Sequence, residues 1–235
     1  MRDLRIFIGY DKKEISAYHT CVQSIMDHAS GPLMITPLRL EHLPMYKRED
    51  VKSTVEFSLT RFLVPYLSRY TGWSLFMDCD MIVKTDLTKL LDLIHEPGLM
   101  SWNMPQVYVA PHDYRTKVTT KATGTNEDYP RKNWSSVMLF NNMQCLKLGP
   151  EYVNIASPAD LHRLVWAREI GNLPLEYNWL VEEYRHNDQA KILHYTLGTP
   201  CFPGYESGDH SDDWYHYFKK VISPVSLDTI NTRFG

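Results

Sequence analysis

The sequence is poor in the features that mark membrane, secreted or nucleic-acid-binding proteins. No apolar stretch approaches the roughly 20 residues that a membrane-spanning helix needs. The four cysteines (Cys21, Cys79, Cys145 and Cys201) are scattered, with no Cys-x-x-Cys pair. We expect them to be reduced thiols rather than two disulfides. There is no basic excess: 25 Lys and Arg face 28 Asp and Glu, a formal charge of −3, which leaves no electrostatic footprint for nucleic acid. The first residues, Met1 to Glu14, run straight into a strand pattern without the apolar core of a signal peptide, so the expectation is a cytoplasmic protein. Internal repeats and low-complexity tracts are missing too.

What is present fits one large α/β domain. The 235 residues are 43% hydrophobic, enough to bury a substantial core. Fifteen Tyr and six Trp suit stacking on sugar rings or bases, although core packing is their commoner use. Short apolar runs at Leu4–Tyr10, Leu33–Leu40, Ser74–Met77, Gly98–Met104, Val107–Ala110, Val137–Phe140 and Lys191–Thr196 read as strands. Helical spacing links Ile15, Tyr18, Val22, Ile25 and Met26 behind a capping-box pattern, Asp11 to Glu14. Ser58–Leu67 reads as a helix ended or kinked by Pro65, and Thr85 or Asp86 can cap a helix over Leu87–Ile94. Ser157-Pro158 starts a last helix, with Leu161, Leu164 and Val165 on its apolar face and Gly171 at its end. Strands alternating with helices predict a mostly parallel sheet flanked by helices. The polar stretch Pro111–Trp134 lacks a packing period, and we expect a mobile lid there.

The sharpest local signal is Ser-Leu-Phe-Met-Asp78-Cys79-Asp80. Two carboxylates at the end of a buried strand stand where open α/β sheets bind ligands. A turn there lets them converge on one divalent ion, Mn²⁺ or Mg²⁺, or split between metal and substrate. The bland alternative is a pair of acids capping the following turn. A phosphatase of the haloacid-dehalogenase type uses a similar Asp-x-Asp, with Asp78 as nucleophile and a later acidic motif such as Gly208-Asp209-His210-Ser211-Asp212-Asp213. That later motif should follow an apolar strand, but Cys201–Ser207 reads as a loop.

Five segments in order carry a family resemblance: Phe57–Pro65, Leu75–Val83 with Asp86-Leu87, Ser135–Asn141, Leu173–Asn178 and His194–Gly198. Together they resemble glycosyltransferases of the GT-A fold, nearest the retaining group that includes glycogenin and bacterial lipopolysaccharide galactosyltransferases. The resemblance spans residues 4–204 and implies a catalytic domain over 1–204, with 205–235 a tail packed on or near the site. It implies that Asp78, Asp80 and His194 hold the metal. Gly9, Tyr10 and Asp11 would meet the nucleotide, with Arg61, the Cys79 backbone, Ser135, Ser136 and Gly198 around the donor. Asp160 and His162 would position the acceptor or support developing positive charge, with Arg61 and Glu176 as catalytic helpers. The implied substrate is a nucleoside-diphosphate sugar, a UDP-sugar foremost, and the acceptor a glycan, lipid-linked sugar or protein. A non-catalytic nucleotide-sugar or carbohydrate-binding protein is the alternative of another class. One departure stands out: the family's Lys-Pro after the metal His is replaced by Gly198-Thr199-Pro200. Another cation, from Lys117, Lys121, Arg131 or Lys132, would have to meet the diphosphate.

Overall fold

The computed structural model describes residues 4–48, 55–94, 101–126 and 128–223. In chain order the elements are β1 (Leu4–Gly9), α1 (Ile15–His28), β2 (Met34–Leu38), α2 (Val64–Leu67), β3 (Trp73–Met77), β4 (Met81–Val83), α3 (Lys89–Leu93) and β5 (Val107–Val109). There follow β6 (Thr120–Lys121), β7 (Gly124–Thr125), β8 (Val137–Asn141), α4 (Pro150–Val153), α5 (Pro158–His162), β9 (Ile170–Asn172), β10 (Trp179–Leu180), β11 (Ile192–His194) and α6 (Ser211–Ile222). A six-stranded sheet has the order β2-β1-β3-β8-β5-β9. It is parallel except at β8, which runs antiparallel to both β3 and β5. A smaller sheet, β10-β11-β4, stands beside it, and β6 pairs with β7 in a hairpin. The expected mostly parallel sheet with flanking helices is therefore the observed one. No helix among the described residues is long and apolar enough to cross a membrane.

The central strands form because their side chains are buried on both faces. All five residues of β8 are buried, as are four of the five in β3. Each large apolar side chain so buried contributes on the order of 1.5–3 kcal/mol. The main core runs from Leu4 to Ile192 through every strand of the large sheet. A second core gathers Ile82, Val181, Leu193 and Tyr195 around Trp214 and Tyr217 of α6. Residues 205–223 thus place a helix against the small sheet and α1. Residues 224–235 of the expected tail lie outside the described residues.

Several sequence expectations are corrected. Helix α1 starts at Ile15, and no capping box forms. Asp11 instead accepts the Lys13 N–H (2.8 Å) and the Glu56 N–H (3.0 Å), tying the end of β1 to the following long segment. The buried face of α1 is Ala17, Tyr18, Cys21, Ser24 and Ile25, while Ile15 and Met26 are exposed. Small residues win this face because β4 and α6 pack closely on it, and Ser24 Oγ accepts the Val83 N–H at 2.9 Å. Pro65 sits in the first turn of α2, where its missing N–H costs nothing, after a 3₁₀ turn over Thr60–Leu63. α3 begins only at Lys89, because the Asp86 carboxylate closes a turn onto the Thr88 N–H and hydroxyl. Ser157 caps α5 as expected, its Oγ accepting the Asp160 N–H at 3.0 Å. That helix ends at His162, however, with Leu164 left-handed (φ 56°) and Val165 exposed. Gly171 lies in edge strand β9 against the Tyr108 ring, not at a helix end. In the expected strand 98–104, residues 98–100 lie outside the described residues and Ser101–Asn103 is a 3₁₀ turn.

The polar segment after β5 is better anchored than its composition suggests. It carries the β6–β7 hairpin, Ala122 N–H donates to Leu197 O (2.7 Å), and Glu183 accepts the Thr116 hydroxyl at 2.6 Å.

At the end of β1 a Cβ on Gly9 would stand 2.4 Å from the Phe57 ring, which is itself buried against Phe76. Gly9→Ala should therefore destabilise the fold by about 1–3 kcal/mol through overpacking. A urea midpoint unchanged from the parent would show that Phe57 yields freely.

Candidate active site

Asp78-Cys79-Asp80 is the point at which the chain leaves the large sheet and enters the small one. β3 ends at Met77 and β4 starts at Met81, with β11 antiparallel to β4 in a register that sets His194 opposite Met81. The Tyr195 N–H donates to Asp80 O at 2.9 Å, and the Asp78 N–H to Ser136 O at 3.0 Å. Two sheets meeting at one turn thus bring the far end of the chain onto the two acids. His194 Nε2 lies 3.4 Å from Asp80 Oδ1 and 4.0 Å from Asp78 Oδ2. One ligand atom from each of the three residues lies within 4.8 Å of the others. Cys79 turns the other way into the core, its Sγ 3.7 Å from Glu14 Oε2.

The tautomer of His194 follows from its neighbours. Asn178 Nδ2 donates to Asn133 O (3.0 Å) and Ser136 Oγ (3.1 Å), so Asn178 Oδ1 faces His194 Nδ1 at 2.9 Å as an acceptor. Nδ1 therefore carries the proton, and Nε2 presents a lone pair to the two carboxylates. Asp80 Oδ1 is buried with no hydrogen-bond donor. Two carboxylates and an imidazole lone pair directed at one point suit a divalent cation.

Arg61 supplies fixed positive charge. Its Nη1 donates to Ser135 O (2.8 Å) and stands 2.9 Å from Asp78 Oδ1, while the guanidinium packs over Phe57 and Phe76. Burial pushes the Asp78 carboxyl up to about 6, against the pull of Arg61. Asp80 feels the same burial, but the His194 ring, in its protonated form, and Lys121 pull it below the usual carboxylate value. Glu14 is the third acid here: burial, then the negative charges of Asp80, Asp11 and Asp78, raise it to about 8.

These groups open onto a cavity of about 590 Å³. Asp78, Asp80, His194, Arg61, Ser135, Ser136, Gly198 and His162 all line it, so eight of the residues nominated for the metal, donor or acceptor meet there. Gly198 adopts φ 150° beside Ala122 and the Tyr205 ring. The remaining nominees stand elsewhere. Asp160 is exposed on α5, and Glu176 belongs to the 3₁₀ turn Leu175–Asn178; neither lines the cavity. Gly9, Tyr10, Asp11 and Cys79 are also off its wall, because Phe57 covers Gly9 and Asp11 is spent on backbone N–H groups. Of the four substitute cations, Lys121 and Lys132 line the cavity. Lys117 donates to Glu183 O, and Arg131 bonds to Arg163 O. Lys132 donates to Asn126 Oδ1, whereas Lys121 has no ion-pair partner among the described residues.

Sequence reasoning passed over Glu14, which it read as a cap, and over the orienting role of Asn178. The only signal for Asn178 was its place at the end of Leu-Pro-Leu-Glu-Tyr-Asn. The phosphatase-type pairing does not occur: Asp209 and Asp213 are engaged with His186 and His210, and neither lines the cavity holding Asp78.

No family model matches the chain. Protein CDI of Arabidopsis thaliana is 40% identical over 247 residues, covering 99% of this chain and 92% of that protein. The chain belongs to the Protein CDI family. Among solved structures, the CDI-family chain superposes on the WbbM bifunctional glycosyltransferase with a TM-score of 0.65 at 16% identity, over 98% of this chain. It spans about half (51%) of WbbM's length. Glycosyltransferase GlyE of Streptococcus pneumoniae gives a TM-score of 0.59 at 15% identity, covering 100% of this chain and 64% of that one. The galactosyltransferase LgtC gives 0.56 at 12% identity, covering 97% and 99%. At these identities the likeness is one of fold, and the CDI-family fold is that of GT-A glycosyltransferases.

His162 crosses the cavity wall between Ser135 Oγ (2.8 Å) and Ser58 Oγ (3.3 Å), and His112 is buried beside the Tyr184 hydroxyl (2.8 Å). Burial holds both imidazoles neutral down to about pH 3, against an ordinary value of 6.5. The unfolded chain therefore binds more protons between about 6.5 and 3, so the stability they confer is lost as pH falls through that window. The urea midpoint of the parent should fall more between pH 7 and pH 5 than that of His162→Gln. Equal falls would mean that His162 is free to protonate in the folded state.

Proposed function

We propose that this CDI-family chain is a metal-dependent glycosyltransferase. It would move a sugar from a nucleoside-diphosphate sugar, a UDP-sugar foremost, to an acceptor hydroxyl on a glycan, lipid-linked sugar or protein. The observation that carries this reading is the convergence of Asp78, Asp80 and His194 Nε2 at the carboxyl ends of the strands, with one carboxylate oxygen buried and undonated. Mixed oxygen and imidazole donors suit Mn²⁺ better than Mg²⁺, which prefers oxygen alone. The cation, when bound, supplies Lewis-acid neutralisation of the leaving diphosphate. GT-A neighbours that include LgtC, solved with donor and acceptor sugar analogues, support the same reading.

The chain's own groups have separable tasks. Asn178 keeps the His194 proton on Nδ1, and Arg61 holds Asp78 in place from the far side. Lys121, on the hairpin over the cavity, is the cation we assign to the diphosphate in place of the missing Lys-Pro. Ser135, Ser136 and neutral His162 line the wall as short-range hydrogen-bonding groups for the donor sugar or acceptor. The carboxylates nominated as helpers, Asp160 and Glu176, stand off the cavity wall, which supports same-face transfer. In that step the bond from the anomeric carbon to the diphosphate oxygen breaks, the acceptor oxygen bonds to the same face, and the departing phosphate takes the acceptor proton. The anomeric configuration is retained. Residues 1–204 would carry this work, and α6 would brace it from behind the small sheet.

Titration calorimetry with UDP-sugar and Mn²⁺ tests the site. Asp80→Asn and Asp78→Asn should each weaken metal-supported binding by tenfold or more, and Asn178→Leu should weaken Mn²⁺ by about 10–100-fold. Normal Mn²⁺-supported binding in a folded Asp80→Asn variant would sink the assignment. Lys121→Ala should weaken nucleotide diphosphate without weakening Mn²⁺, because it takes positive charge away from Asp78 and Asp80. NMR of the product decides the stereochemistry: an α-linked donor should give an α-glycoside, and a β-glycoside would replace retention with inversion.

A further inference from the structure

The segment that imitates a phosphatase motif, Gly208–Asp213, builds a second cluster away from the cavity. His186, Asp209 and His210 each place one ligand atom within 4.8 Å of the others. His186 Nδ1 lies 2.6 Å from Asp209 Oδ1, and His210 Nε2 lies 3.9 Å from Asp209 Oδ2. The two imidazoles stack, with centroids 4.2 Å apart.

Each histidine is oriented by a carboxylate of its own. His210 Nδ1 is 2.7 Å from Asp213 Oδ2, and His186 Nε2 is 3.0 Å from Asp188 Oδ1. On His210 the Asp213 carboxylate fixes the proton on Nδ1 and leaves Nε2 a lone-pair donor, and on His186 the Asp188 carboxylate can hold the proton on Nε2 in the same way. The His210 side chain is fully buried, so its Nε2 cannot turn to solvent. That Nε2 faces the Asp209 carboxylate, and only the Asn187 N–H, at 3.4 Å, approaches it as a donor. The His210 Nε2 lone pair and Asp209 Oδ2, 3.9 Å apart, are two acceptors facing each other, while His186 Nδ1 reaches Asp209 Oδ1 at 2.6 Å, a contact that either a ring proton or a shared cation can close. The Glu182 carboxylate, which accepts the Asp209 N–H, holds the loop from outside.

We propose that His186, Asp209 and His210 form a structural site for a borderline divalent cation, Zn²⁺ foremost. Two imidazoles and one carboxylate are a donor set that hard Mg²⁺ and Ca²⁺ do not favour. With bonds of about 2.0–2.2 Å, tetrahedral ligands stand about 3.3 Å apart, within the span this cluster already covers. The exposed His186 ring can supply the adjustment. The fourth position, open on the His186 side, takes water. The site fastens the loop after β10 to the start of α6. Tyr195, which follows the cavity residue His194, donates its hydroxyl to His210 O at 2.7 Å. The cation therefore braces the small sheet from behind while touching no cavity group.

Equilibrium dialysis of the full chain against Zn²⁺, with the spectrum of bound Co²⁺ as a second readout, tests the site. The Asp80→Asn variant removes the contribution of the cavity triad. In that background one equivalent of Zn²⁺ should remain, with a Co²⁺ spectrum of tetrahedral intensity. Adding His186→Ala, a surface change, should abolish it, and Asp188→Asn should weaken it about tenfold or more. Zn²⁺ should also raise the Tm of Asp80→Asn but not of the double variant. A folded Asp80→Asn protein that binds no Zn²⁺, or binds it equally well without His186, overturns the proposal. In that case a proton, not a metal, supplies the charge between these groups.

Discussion

Two carboxylates carried largely out of water at one turn impose the condition that the rest of the site satisfies. Asp78 and Asp80 are there because β3 is buried throughout its last four residues and the chain must then pass into the second sheet. Left alone, such acids would take up protons, which is the direction burial drives both Asp78 and Glu14. Arg61 offsets one of them, locked in place by the Ser135 carbonyl and two aromatic rings. Lys121, and His194 when its ring carries a second proton, offset the other. The remaining imbalance, a buried carboxylate oxygen without a donor beside an imidazole lone pair, is what a divalent cation would relieve.

The accuracy of that arrangement depends on structure behind it. His194 is the last residue of a three-residue strand, too short to be rigid alone. It is held by β4 on one side and β10 on the other, over a core completed by Trp214 of α6. Asn178 adds a directional restraint, joining His194 to the Asn133 carbonyl and the Ser136 hydroxyl. A relay of this kind ties the position of the loop before β8 to the orientation of His194 Nε2.

The sequence was most legible where a single physical signal dominated. Buried strands such as β3 and β8 have no competing reading, and the acids that follow β3 gave the site its centre. Ser157-Pro158 was legible because capping is local: an oxygen, one N–H and three residues. Legibility failed where a distant partner decided the outcome. Asp11 and Glu14 have the spacing of a cap, but Asp11 is claimed by the Glu56 N–H and Glu14 turns inward beside Cys79. The buried face of α1 follows Ala17 and Ser24 because α6, which arrives almost two hundred residues later, needs close approach. Asp160 and Glu176 were nominated by resemblance, and only the arrangement of α5 and the turn before β10 shows that they face elsewhere.

The reversal of β8 has a topological corollary. Parallel strands deliver only their exits to the ligand-binding edge of a sheet, but an antiparallel one delivers its entrance. The chain between β5 and β8 therefore starts and finishes at that same edge, and it never has to cross a face of the sheet. The described residues of this connection run from Ala110, at the exit of β5, to Ser136 on the cavity wall, and Lys121, Thr123 and Thr125 of the hairpin line the cavity between them. Such a connection can lengthen, shorten or change composition without shifting the register of a single strand pair. Substrate preference in this fold can thus diverge through one segment while the two acids and the histidine beneath it stay where the sheets put them.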